Sequence, residues 1–133
     1  MDQILQSHFL NLYSIALADA QIEATELEAL YKIGQEKGIE PSAIDEIILH
    51  PDKVKFIFPD TLEEKIIYLY DFAKIVLADG VIDKNERVTL ELFCSRFGFE
   101  EENVHAIADF LIAAAKDNMG LNDLLQFINE NLN

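Results

Sequence analysis

An all-α fold, a seven-helix bundle made of two matched halves, follows from three features of this sequence. The segment Ala18-Asp19-Ala20-Gln21-Ile22-Glu23-Ala24-Thr25-Glu26 returns 60 positions later as Ala78-Asp79-Gly80-Val81-Ile82-Asp83-Lys84-Asn85-Glu86, and each copy is followed twelve positions beyond its last Glu by a glycine, Gly38 or Gly98. Half of the residues are hydrophobic while Gly and Pro number only five and three, which suits helices rather than linkers or disorder. Apolar residues also recur at helical spacing in seven stretches. The length of 133 residues predicts one domain, 1–133, with repeat units at about 3–49 and about 61–117.

Leu5, Phe9, Leu12, Ile15, Ala16 and Asp19 share one face and predict a first helix over about 3–19. A second, about 24–37, packs through Leu27, Leu30, Tyr31 and Ile33 and stops at Gly38, whose missing Cβ permits the left-handed conformation that closes many helices. Ile39 matches the apolar residue that often follows such a cap. Glu40-Pro41 opens a third helix, because proline at the first helical position forfeits no internal hydrogen bond; Ile44, Ile47 and Ile48 are its buried side, and it ends before Pro51.

Residues 50–60, bounded by Pro51 and Pro59, carry Val54, Phe56, Ile57 and Phe58 and predict an extended connector lying across the core surface. A strand there would have no partner. The hydroxyl of Thr61 with Glu64 three positions on reads as a helix cap, and Leu62, Ile66, Leu69, Ala73, Val76 and Leu77 carry the fourth helix on to Ala78. With Ile67 and Tyr70 widening its apolar face it should be the most buried, leaving Lys65, Asp71 and Lys74 on its wet side. The fifth helix, about 84–97, closes at Gly98. Val104, Ile107, Ala108, Leu111, Ile112 and Ala115 make the sixth, and Leu121, Leu124, Leu125, Ile128 and Leu132 the seventh, a terminal brace on helices 1–3 and 4–6.

A formal charge of −15 repels phosphate backbones and anionic membrane surfaces, so no nucleic-acid partner is expected and cations or basic protein surfaces are favoured. Cys94 is the single cysteine, which excludes an internal disulfide and a Cys-rich zinc site and suits a reducing compartment. Met1-Asp2-Gln3-Ile4 lacks the basic start of a signal peptide, and no apolar run reaches membrane-spanning length, so a cytoplasmic location without direct membrane insertion is expected.

The two acidic corners carry what chemistry there is. Asp19/Asp79 and Glu26/Glu86 keep their polar identity between copies where packing would not demand it. A carboxylate in the last turn of a helix faces the negative end of the dipole and costs up to about 1 kcal/mol uncompensated, so Asp19 and Asp79 call for a facing positive group: amides of the next helix, a basic side chain or a cation. Asp83 can cap the fifth helix while Glu86 reaches back to the cap amide; Glu23 is a poorer cap in the first copy. Asp79 to Glu86 also match the last eight positions of an EF-hand loop, but Ile75 and Leu77 stand where leading oxygen ligands belong, so a complete calcium cage is not expected.

His8 and His105 lie on helices without metal-ligand spacing and read as surface or boundary histidines; Cys94 reads as a buried small hydrophobe with no adjacent His to activate it. His50-Pro51-Asp52 spells the J-domain tripeptide, but the helix before it holds Asp45 and Glu46 and no basic residue, so Pro51 is read as a helix stop.

An apolar helix ending in Ala78-Asp79-Gly80, then Val81-Ile82-Asp83 and Glu86, with the weaker copy Ala18-Asp19-Ala20, Ile22 and Glu26, resembles the TerB-like tellurite-resistance family over about residues 8–130. The resemblance implies a seven-helix fold with pseudo-twofold halves, a divalent metal ion of unspecified identity as cofactor, and Asp19, Glu26, Asp79, Asp83 and Glu86 as its ligands. Ala20 and Glu23 depart from the family pattern at the first corner. The expectation is a non-enzymatic module in a stress-related or scaffolding role, with no catalytic residues and with a protein partner or self-association. A pure interaction domain using Phe56, Ile57 and Phe58 is the alternative, and a hydrolase built on paired carboxylates the third reading.

Overall fold

The fourth helix organises the molecule because its sequence, LEEKIIYLYDFAKIV, is apolar on nearly every side, and such a helix must be covered all round. The computed structural model describes residues 3–16, 24–55, 57–78 and 84–131, without the side chains of Ile15, Ala16, Ile128 and Asn131. Their helices are α1 (Gln3–Ala16), α2 (Ala24–Glu36), α3 (Pro41–Leu49), α4 (Leu62–Val76), α5 (Lys84–Arg96), α6 (Glu101–Lys116) and α7 (Leu121–Asn131), with a single 3₁₀ turn at Pro51–Lys53. The described residues are all-helical, with no strand. None of these helices is long and apolar enough to cross a membrane.

Helix α4 touches α1, α2, α5, α6 and α7. Ile66, Leu69, Phe72, Ala73, Ile75 and Val76 are fully enclosed, each larger side chain contributing about 1.5–3 kcal/mol over leaving it in water. Phe72 lies 4.8 Å from the Phe93 ring and 6.1 Å from Phe97. One contiguous apolar cluster draws on all seven helices, from Phe9 on α1 to Leu124 on α7.

Helix boundaries follow local chemistry. The Thr61 hydroxyl accepts from the Glu64 N–H at 3.1 Å, and Pro41 sits in the first turn of α3. At Gly38 (φ +77) the amides of Gly38 and Ile39 bond back to Gln35 and Gly34, the paired closure of a Schellman cap. Gly98 (φ +99) repeats it with Ser95 and Cys94, and Asn118 (φ 53) does so with Ala115 and Ala114. The fourth helix ends at Val76, with Leu77 as its cap, rather than reaching Ala78.

Three sequence expectations are corrected. Asp71 is not on a wet side: it is 4% exposed, because five helices leave α4 no solvent face there. His8 is 2% exposed rather than a boundary residue, since it lies on the same α1 stripe as Leu5 and Leu12. Leu121, placed in the buried set of the seventh helix, is exposed at its first turn. The connector does cross the core surface after its 3₁₀ turn: the Ile57 amide donates to Ser7 Oγ at 3.0 Å and Phe58 packs 5.3 Å from Phe97. Phe58 thus belongs to the core rim and not to a protruding patch, while Phe56 lies outside the described residues.

Candidate functional site

Of the five carboxylates expected to ligate metal, Asp19, Asp79 and Asp83 lie outside the described residues, as do residues 79–83 of the EF-hand-like segment, whose last three residues begin α5. Glu26 and Glu86 occupy the third position of α2 and α5, and both are 2% exposed. An isolated ionised carboxylate is costly to bury. The helix N-terminus supplies part of the compensation through its free amides and positive dipole end, and both side chains have interaction partners in the structure. As hard oxygen donors they suit a cation of the magnesium, calcium or manganese type. Among the described residues no three His, Cys, Asp or Glu side chains converge as a metal group.

A second polar cluster was not anticipated. Asp71 Oδ2 accepts from His8 Nε2 at 2.8 Å and from Lys37 Nζ at 3.1 Å, joining α1 and the end of α2 to α4. The His8 ring stacks on Tyr68 at 4.0 Å, and the Lys37 ammonium lies 5.8 Å over the same tyrosine. Burial drives the His8 pKa below 6.5 despite the Asp71 hydrogen bond, so the ring is neutral with its proton on Nε2. Burial pushes the Asp71 carboxyl up, but His8 and Lys37 together outweigh it and hold it below the usual carboxylate range. A histidine oriented by a carboxylate resembles part of a hydrolytic triad. Here His8 and Asp71 are closed off from any substrate, and the buried Ser7 hydroxyl beside His8 in sequence is engaged by the Ile57 amide. The cluster pins three helices; His8 Nδ1 and Asn11 Oδ1 remain buried without a hydrogen-bond partner among the described residues.

The exposed surface differs sharply between two helix pairs. Leu27 and Tyr31 of α2 pack against the core as their spacing predicts, but are only half buried and line a groove of about 800 Å³ with Ala24, Ile39 and Pro41. Beyond Tyr31 a smaller hollow of about 320 Å³ is bordered by Tyr13, Ile48 and Leu49, and Leu49 is 70% exposed. Tyr31 donates a short hydrogen bond to Asp45, which raises its phenol pKa to about 12.

Sixty positions on, Leu27, Tyr31, Asp45 and Leu49 correspond to Arg87, Glu91, His105 and Asp109. There Arg87 bonds Asp109 at 2.8 Å and Glu91 at 3.4 Å, and His105 lies 3.4 Å from Glu91. The Arg87 hydrogen bond holds the Asp109 carboxyl below its usual range. At these four positions α5–α6 carries an ion network where α2–α3 carries three apolar or aromatic side chains and Asp45; at the neighbouring positions the order reverses, with exposed Val88 and Leu92 on α5 against Glu28 and Lys32 on α2.

No family model matches the chain, and no curated protein or solved structure matches it significantly.

Proposed function

We propose that this chain is a non-catalytic helical interaction module, TerB-like in plan, whose α2–α3 face receives a protein partner. The two-half plan, α1–α3 and α4–α6 with α7 as a brace, is supported by the 60-residue sequence shift. It is also supported by the burial order of α2, which α5 follows at every position except the one held by Gln35 and Ser95.

The observation that carries the proposal is the contrast between the matched faces. Half-buried Leu27 and Tyr31 and exposed Leu49 form an apolar strip that costs solubility unless something covers it, whereas the equivalent positions 87, 91 and 109 are charged and mutually paired. A scaffolding role in stress-related assemblies is what the TerB-like resemblance adds. The test is Leu27→Asp with Leu49→Asp in the full chain: cellular partners crosslinked to the wild type should be lost from a variant that keeps its helical circular dichroism. Retention of every partner would remove the proposal.

The burial of Glu26 and Glu86 favours a second reading, in which a divalent cation held at the acidic corners braces the two halves; Asp19, Asp79 and Asp83 are the further ligands it requires. Such a cation would balance the negative charge of the two buried carboxylates. Calorimetric titration with calcium, magnesium, manganese and zinc should give saturable binding that Asp79→Asn with Glu86→Gln abolishes. Absent or unchanged binding refutes it.

A further inference from the structure

We infer that the occupant of the α2–α3 groove is an amphipathic helical segment whose apolar side chains are flanked by lysine or arginine. The inference rests on the proposal that this face is the interaction surface, and adds the chemistry of what it takes. The floor is apolar, formed by Leu27, Tyr31, Ile39 and Pro41, and the same surface runs on to Leu49. The rim is acidic on balance: exposed Glu28 and Glu40 line the groove and exposed Asp45 the hollow beside it, against Lys32, which also lines the groove and is the one exposed lysine or arginine on α2 and α3. Lys37, the next basic residue, is turned inward to Asp71. Apolar anchors therefore gain from the floor only if the residues beside them satisfy a negative rim, which selects cations.

Other occupants fit less well. A second copy would bring another −15 to an already acidic face, and an anionic membrane surface is repelled by the same field. An added β-strand needs a sheet edge, and the described residues contain no strand. A helix laid into a groove between two helices remains, read through apolar anchors at i, i+3 or i+4, and i+7.

The test is selection of displayed random peptides of about 16 residues, roughly 24 Å of helix, on the full-length protein, with counter-selection on the folded Leu27→Asp, Leu49→Asp variant. Leu49→Asp alone, at a 70% exposed position, serves if the double variant does not fold. Enriched peptides should carry helically spaced apolar residues with lysine or arginine beside them. They should bind about tenfold more weakly to Glu28→Lys with Glu40→Lys, and lose about tenfold between about 50 mM and about 500 mM salt. Peptides that depend on Leu27 and Leu49 but are neutral or acidic, or ignore the charge reversal, overturn the inference and leave the interaction surface standing. If no peptide depends on Leu27 or Leu49, the surface itself is refuted. A dimer in sedimentation equilibrium that Leu49→Asp dissociates would assign the groove to a second copy and overturn the basic-helix occupant.

Discussion

Replacing Asp71 with asparagine tests whether the buried His8–Asp71–Lys37 cluster holds the bundle together. The substitution preserves shape and removes one negative charge that receives two bonds, from His8 at 2.8 Å and Lys37 at 3.1 Å. Hydrogen bonds to a charged group contribute about 1.5–3 kcal/mol and neutral ones about 0.5–1.5 kcal/mol. The amide oxygen of Asn can keep His8 as a neutral bond, at a loss of about 1 kcal/mol. Lys37 loses its anion, but its side chain is 23% exposed and can turn towards water, which limits the second loss to roughly another 1 kcal/mol. Asp71→Asn should therefore cost about 2 kcal/mol, equivalent to a fall of roughly 6–10 °C in melting temperature for a chain of this size. Urea denaturation at neutral pH, followed by helical circular dichroism, measures it. A loss below about 0.5 kcal/mol would show that the three helices are held by apolar packing alone and that the cluster is incidental.

Acid should destabilise the protein in two stages. The folded pKa of His8 lies below 6.5, so its contribution is complete above about pH 6.5 and is lost as pH falls through the folded value; that of Asp71 lies below 3.8, so its contribution is complete above about pH 3.8 and is lost at still lower pH. Urea midpoints measured from neutral pH downward should show the first decline in the wild type and a flatter one in His8→Gln; an equal slope in both removes His8 as its source. Burial, with the Glu91 charge adding to it, pushes the Cys94 thiol up to about 12, so Cys94 should react with an aromatic disulfide only at the rate of global unfolding. Prompt labelling of the native protein would contradict its 0% exposure. At Gly34 an added Cβ would run into Ile44 Cδ1 and lie 3.6 Å from Phe9. Gly34→Ala should therefore lose about 1–3 kcal/mol to overpacking, offset by about 1 kcal/mol of helix propensity. Ile44→Val should cost less in the Gly34→Ala background than in the wild type, and simple additivity in a double-mutant cycle would refute the clash.

Local signals proved the most readable. Thr61 caps α4, Pro41 opens α3, and Gly38 and Gly98 close α2 and α5 with positive φ, all anticipated because each depends on a few neighbouring residues. Asn118 closes α6 in the same way, and asparagine's tolerance of the left-handed region was the overlooked signal. His8 could have been suspected from its place among the apolar residues of α1. Asp71 could not, since its burial depends on helices distant in sequence and its partner His8 is 63 positions away. At the candidate sites, the repeated identity of Glu26 and Glu86 was visible in the sequence, but not that both are enclosed. Leu27 and Tyr31 do pack against the core, but helical spacing marks an apolar stripe without saying how much of it a neighbouring helix will cover.

The amino-acid order alone settled which segments are helical, where most of them stop, that Cys94 is internal, and that the surface is strongly acidic. These are consequences of backbone sterics, short-range hydrogen bonding and summed charge, which act over a turn or two or need no geometry at all. Three-dimensional packing decided that Asp71 is a buried anchor, that Phe58 lies on the core rim, and that an apolar groove opens on α2–α3 where α5–α6 carries an ion network. Burial and pairing belong to contacts between distant segments, and those exist only once the helices have been brought together.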